Sequence, residues 1–422
     1  MPALNQETSP PALNQETSPP AALAGVRVID LTQYIAGPGC TKLLADYGAD
    51  VIKVERPDGG DPARRLPPFF RDEPHAEGSG LFLHLNTNKK SLTLNLKSEA
   101  GRRILLDLVR EADILVESFS PRVMPSLGLD YAALEAVNPR LVMTSISNFG
   151  QTGPYRDYKM SEITLYALGG TMYITGLPER EPVKLGLTVE QFFAGMVAAA
   201  ATMGAYVGAL TSGAGQHLDL SLFEIMVGNQ DRGVQAHMIY QYSGVVGERG
   251  SPGVGRTILP TGVYPTADGY VQFFTLTSHW DRICRLVDRP DLIDDPHFTA
   301  PENFTGNLEV KYEFDAILIE WLVQHTKREV MEKSQRVGYP CGALNTMADV
   351  FADPHLAARG YFVEVDHPHT GPLAYPGAPF VMSETLWRAG RAPLLGEHTR
   401  EVLRGLGHGD DDIVRLREGG VV

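Results

Sequence analysis

Glu190 stands just before a long run of small and apolar residues, Phe192 to Leu210. Its carboxylate therefore falls at or near a helix N-terminus, where the helix dipole favours an ionised, nucleophilic side chain. An ordinary capping role accounts for the same residue equally simply. Gln191 beside it offers hydrogen bonds but no nucleophile. A second feature is Asp30-Leu31-Thr32-Gln33 followed by Gly37-Pro38-Gly39. It closes an apolar strand and opens a helix, so free backbone N–H groups there can hold an anion or a carbonyl oxygen, although the dinucleotide glycine spacing is missing. Lys53, Arg56, Lys89, Lys90 and Lys97 fall at strand ends and turns. They either hold the phosphates of a long polyanionic ligand or form a solvated rim of surface ion pairs.

Other chemistries find no support. The 12 histidines form no HExxH pattern, and Ser221 lies in no nucleophile elbow. Cys40, Cys284 and Cys341 are three, far apart, and match neither a disulfide framework nor a structural zinc site. No metal is expected, and the setting is a reducing cytoplasm. Lys and Arg number 37 against 51 Asp and Glu, a net charge of -14, which repels nucleic acid and anionic membranes.

These residues need a scaffold, and 422 residues suffice for roughly two domains. VRVIDL from Val26, the helix GPGCTKLLADYG and the strand ADVIKVE make a βαβ unit. A helix from Ala100 to Glu111, the strand ADILVES, a helix near Tyr131 to Val137 and the strand RLVMTSIS continue the alternation. A parallel, doubly wound sheet is expected. The Phe192 to Leu210 run is long enough to span a membrane, but its Ala and Gly content and lack of basic flanks favour a core helix. A hairpin is expected at Gly262–Tyr264 and Gly269–Phe273, opening a smaller α+β domain. The expected divisions are 1–22, a duplicated leader (PALNQETSP occurs twice); 23–235, the large domain; 236–260, a glycine-rich linker; 261–367, the small domain; and 368–422, a return to the large domain.

In order along the chain, LAGVRVIDLT, AGPGCTKLLADYGADVIKVERP, LHLNTNKKSLTLNLKSEAGR, ADILVESFSP, LGLDYAALEAVNPRLVMTSISNFGQTGPY, TSGAGQHLDLSLFE, GYPCGALNTMADVFADPHLAARGYF and RAPLLGEHT resemble the class III CoA-transferases, the CaiB/BaiF family. The resemblance spans nearly the whole chain. It implies an α/β fold with a Rossmann-like large domain, a smaller α+β domain, and two subunits interlocked like links of a chain. It also implies coenzyme A and acyl-CoA as substrates, a carboxylic acid acceptor, a donor such as succinyl-CoA, and no permanently bound cofactor. Gln33, Ala36, Arg56, Lys90, Leu94, Lys97 and Phe119 match positions that contact CoA in that family. The glycine-rich segment SPGVGR, 251–256, resembles the family's flap.

The family's nucleophile is an aspartate, and here the pattern departs. Counting back from Gly213-Ala214-Gly215-Gln216, the racemase-like spacing puts Glu190 at that position and the formyl-CoA transferase spacing puts Gln191 there. The first assigns Glu190 the nucleophile's role. The second makes the chain a non-catalytic subunit that pairs with an aspartate-bearing paralogue, as in the benzylsuccinate type. Ser118 and Ser126 replace an Asn and an Arg of the formyl-CoA transferase pattern. Met160-Ser161-Glu162 replaces the Gly-His-Asp of the racemase, so a racemase is disfavoured. A homodimer and a heteromer both remain compatible with the sequence.

Overall fold

The computed structural model describes residues 21–228, 231–247, 249, 258–274, 279–385 and 387–422. All but two residues of the expected leader, and the flap segment 251–256, lie outside them. The chain divides into two compact units. One runs through Met172 and includes Lys184–Val246 and Arg359–Val422; the other is Tyr173–Val183 with Gly247–Ala358.

The first unit contains β1 (Arg27–Leu31), α1 (Ala36–Asp46), β2 (Asp50–Glu55), β3 (Lys90–Thr93), α2 (Glu99–Val109), β4 (Ile114–Glu117), α3 (Tyr131–Val137), β5 (Val142–Ser147), α4 (Glu162–Leu168), α5 (Val189–Ser212), β6 (Gln216–Ser221), α6 (Leu222–Gly228) and α7 (Asp231–Ser243). Its six strands lie in the order β3-β2-β1-β4-β5-β6, all parallel. That order reverses direction between β1 and β4, and in open α/β sheets ligands bind beyond the carboxyl ends of strands at such a switch point. The strands are short apolar runs because both faces are covered. Along β1, Val28 packs with α1 and α5 on one face, while Ile29 and Leu31 pack with α2 and α3 on the other. The expected α/β fold is therefore observed.

α2 and α3 start where Ser98 and Asp130 accept the N–H groups of Gly101 and Ala133, both at 3.0 Å. The chain's last residues join the second face. Val421 and Val422 are buried there, and the Asn95 N–H donates to the Val421 carbonyl at 2.7 Å.

The long apolar run is a helix, α5, but only one face of it is buried. Ala194, Gly195, Ala198, Thr202, Ala205 and Ala209 pack inward, whereas Phe192, Met196, Val207 and Leu210 are exposed. Small residues let the backbones close up. A Cβ on Gly195 would stand 2.8 Å from the Ala36 carbonyl oxygen and 3.3 Å from the Cys40 nitrogen. This contact fixes the start of α5 against the turn after β1.

In the second unit, β7 (Gly262–Thr266), β8 (Gly269–Phe273) and β9 (Cys341–Ala343) form an antiparallel sheet with β8 central. Helices α8 (Trp280–Leu286), α9 (Leu308–Leu322) and α10 (Lys327–Val337) pack on it around Phe273, Phe314 and Tyr339. The hairpin extends further than expected: Pro265 and Thr266 belong to β7. Proline is tolerated there because β7 is an edge strand.

One expected division falls inside an element and another separates two paired strands. Residue 235 lies within α7, and 367 ends β10 (Phe362–His367), which pairs with β11 (Gly371–Pro376). The return to the first unit is at Arg359, because strands that share a ladder stay together. α11 (Thr399–Gly405) and α12 (Asp410–Glu418) complete that unit.

If Gly195 is required for the α1 contact, Gly195→Ala lowers stability by about 1–3 kcal/mol in urea unfolding. Gly204→Ala, with no atom within 4 Å of the added Cβ, leaves stability equal or raises it by up to ~1 kcal/mol. Equal effects at the two positions contradict the packing described.

Candidate active site

Buried charges shape the turns at the carboxyl ends of β1 and β2. Asp30, on β1, is fully buried and accepts from the Thr32 N–H at 2.8 Å and the Thr41 hydroxyl at 2.6 Å. Lys89 donates to Asp30 at 3.0 Å, to the Pro38 carbonyl at 3.0 Å, to Thr41 at 2.7 Å and to Asn86 at 2.9 Å. Burial alone pushes the Asp30 carboxyl up, but Lys53, Lys89 and the two hydroxyls hold it well below the usual carboxylate range. Burial also brings Lys89 down to about 8.

Lys53 extends the lattice. Its ammonium donates to the Thr32 carbonyl at 2.9 Å and pairs with Asp61 at 2.8 Å. Asp61 in turn accepts the Tyr34 N–H at 3.1 Å and the Ala63 N–H at 2.8 Å. Glu55 then takes Arg64 through two bonds, at 2.7 and 2.9 Å, and the guanidinium lies 3.6 Å from the Phe82 ring centroid. Lys53 and Lys89 are thus wholly engaged inside the protein, which corrects the expectation that they hold a ligand's phosphates. A lysine that has given all its protons to buried acceptors has none for a ligand.

The turns held in this way wall a cavity of about 570 Å³. Gln33 follows β1, Arg56 follows β2, Leu94 and Lys97 follow β3, and Phe119 follows β4, and all five line it. Val54, Leu96, Val123 and Leu127 add apolar wall that the sequence reading did not single out. The Ser118 hydroxyl accepts the Gln33 N–H at 2.9 Å, and Ser126 lies on the rim. Among the described residues, neither Arg56 nor Lys97 is in an ion pair, so both cations are available to an anion. Two cations beside an aromatic and aliphatic wall suit a phosphorylated aromatic heterocycle.

Two expected residues stand apart. Ala36 is buried in the first turn of α1, with its carbonyl against Gly195 rather than on the cavity wall. Lys90 opens β3, about 13 Å of extended chain before Leu94. It pairs with Asp50 at 3.1 Å and Glu401 at 3.2 Å and lines a different hollow at the amino ends of the strands.

Glu190 and Gln191 are both buried in the first turn of α5. α4 brings Glu162 to them: its carboxylate accepts the Gln191 N–H at 3.4 Å and Lys184 at 2.8 Å. Burial, then the charge of Glu162, pushes Glu190 up to about 7, with Lys184 acting in the opposite sense. The sequence offered no signal for Glu162 and Lys184 as a pair, since no periodic element links them. Glu117, at the end of β4, accepts the Phe119 N–H at 2.7 Å and is likewise pushed up to about 7, chiefly by burial. Among the described residues no cluster of three or more His, Cys, Asp or Glu is placed to hold a metal.

The cavity bordered by Arg56 and Lys97 lies beyond the carboxyl ends of the strands at the switch point, and a buried carboxylate stands at the start of α5. The chain is a member of CoA-transferase family III, whose profile matches residues 23–399, and it is a CoA-transferase. It is 34% identical over 392 residues to a succinate–glutarate CoA-transferase of Agrobacterium fabrum, covering 90% of this chain and 94% of that protein. It is 34% identical to a formyl-CoA:oxalate CoA-transferase of Streptomyces avermitilis, covering 95% and 99%. The crystal structure of a CaiB/BaiF family protein from Brucella suis superposes with a TM-score of 0.79 at 31% identity, covering 92% of this chain and all of that one.

If Arg56 binds phosphate, Arg56→Ala weakens CoA binding by about 10- to 100-fold in calorimetric titration. Lys90→Ala changes it by less than about twofold, because its ion pairs are at the other end of the sheet. Equal losses contradict the placement of the ligand.

Proposed function

We propose that the chain transfers CoA from an acyl-CoA donor, such as succinyl-CoA, to a carboxylic acid, with Glu190 as the acyl acceptor. The observation that carries this reading is a buried carboxylate at the start of α5, a helix pinned by Gly195 to the turn that leads from the Gln33 side of the CoA cavity. Relatives named for succinate, glutarate, formyl-CoA and oxalate support acids and their thioesters as substrates. Arg56 and Lys97 hold the nucleotide phosphates, and Phe119 with Leu94 takes the base.

The Glu190 carboxylate attacks the thioester carbonyl, and the C–S bond breaks to release CoA thiolate and leave a mixed anhydride. The thiolate attacks the glutamyl carbonyl, expelling the donor acid and forming a glutamyl-CoA thioester. The acceptor carboxylate then attacks that thioester and releases the thiolate, which takes the acceptor acyl group and restores Glu190. Electrons and protons balance without a redox partner. The exposed apolar side chains of α5, with Met238 and Ile239 of α7, support a second subunit covering them, as in an interlocked dimer.

Incubation with acyl-CoA gives a hydroxylamine-sensitive CoA adduct on the Glu190 peptide, and Glu190→Gln abolishes both adduct and turnover. Adduct-free protein that binds acyl-CoA but turns nothing over contradicts the assignment and leaves the chain as a non-catalytic subunit.

A further inference from the structure

We infer that Asn95 is a positioning residue for CoA binding: it holds Lys97 on the cavity wall, with the buried segment 419–422 as its anchor. This deepens the reading that Arg56 and Lys97 hold the nucleotide phosphates, and rests on it. The anchor is set by the way α12 ends. Gly420 holds a left-handed φ of 64°, its N–H donates to the Arg417 carbonyl at 3.0 Å, and the Val421 N–H donates to the Leu416 carbonyl at 2.8 Å. These two bonds form the turn that a glycine permits at a helix end, with the residue after it packed back on the last turn. Val421 and Val422 are accordingly only 8% and 9% exposed, in the core that also takes Leu94 and Leu416. The segment is thereby fixed in place, and Gly420 borders the cavity.

Asn95 joins that anchor to the link between β3 and α2. Its backbone N–H donates to the Val421 carbonyl at 2.7 Å, and its side-chain amide donates to the Gly420 carbonyl at 3.2 Å. The side-chain oxygen of the same residue accepts the Lys97 N–H at 3.1 Å. Its carbonyl accepts the hydroxyl of Ser98, the α2 cap, at 2.8 Å. Arg102, one turn into α2, donates to the Lys97 carbonyl at 2.9 Å. The backbone of Lys97 is thus held on both sides before any ligand arrives. Ordering a long side chain on an anion costs conformational entropy, and a backbone already fixed adds nothing to that cost. Asn95 itself lines the cavity, but the oxygen and nitrogen of its amide are each engaged by backbone, so it acts through Lys97.

Calorimetric titration with CoA, which needs no turnover, tests this in a double-mutant cycle. Asn95→Ala weakens binding by about 5- to 10-fold in the otherwise unchanged protein. In Lys97→Ala protein the same substitution weakens it by less than about twofold, because the residue it positions is gone. Asn95→Ser keeps a hydroxyl that accepts the Lys97 N–H but is too short for the Gly420 carbonyl, so its loss lies between those of wild type and Asn95→Ala. It carries the same cycle should Asn95→Ala fail to fold. The number of binding sites separates positioning from damage: positioning raises Kd at an unchanged number of sites, whereas damaged protein has fewer sites at an unchanged Kd. An unchanged Kd in the Asn95 variants, or equal losses with and without Lys97, overturns the inference. Arg56→Ala keeps it apart from the reading beneath it. A loss from Arg56→Ala and Lys97→Ala but not from the Asn95 variants defeats this inference alone, whereas no loss from Arg56→Ala and Lys97→Ala defeats the placement of the nucleotide, and this inference with it.

Discussion

The site depends on the buried ion pair between Asp30 and Lys89. Two charges out of water are costly, and they persist only where every remaining donor and acceptor is met. Here several of the bonds that meet this requirement also fix a piece of backbone. Asp30 holds the Thr32 N–H, Lys89 holds the Pro38 carbonyl, and Lys53 holds the Thr32 carbonyl while its partner Asp61 holds the Tyr34 N–H. The turn after β1 therefore has little freedom, although it is an irregular segment at the carboxyl end of a central strand. The cavity walls and the seat for α5 are both extensions of that turn.

On this rigid base the chemistry needs few parts. Arg56 and Lys97, in no ion pair among the described residues, border the cavity beside an apolar wall, and binding energy spent on remote groups is what places a reacting thioester. At the start of α5 a glutamate and a glutamine stand side by side, and a glutamate from α4 accepts the Gln191 N–H. Packing of Gly195 on Ala36 sets the height of that helix start, and the Glu162–Lys184 pair lies beside it.

Much of the scaffold was legible because its signals are local. The apolar runs of β1, β2, β4 and β5 and the alternating helices identify a parallel sheet without any tertiary information. β3 was not legible: Lys90–Thr93 sits among Asn and Lys residues and becomes a strand through its pairing with β2. The lysines misled for a related reason. Lys53 and Lys89 look like Arg56 and Lys97 in sequence, and only the fold shows that the first two point into acids while the others border a cavity. Of the residues the resemblance singled out, Gln33, Leu94 and Phe119 line one cavity, whereas Lys90 lies at the opposite end of the sheet, which only the fold reveals. Glu162 and Lys184 meet through a non-periodic segment, so no spacing announced them.

The most direct measurement compares two adjacent lysines by equilibrium urea unfolding. Removing one partner of a buried pair leaves an uncompensated charge, so Lys89→Met loses about 3–5 kcal/mol. Lys90→Met, which breaks only half-exposed pairs, loses less than about 1 kcal/mol. Equal losses from the two substitutions contradict the claim that the Asp30–Lys89 pair holds the site together.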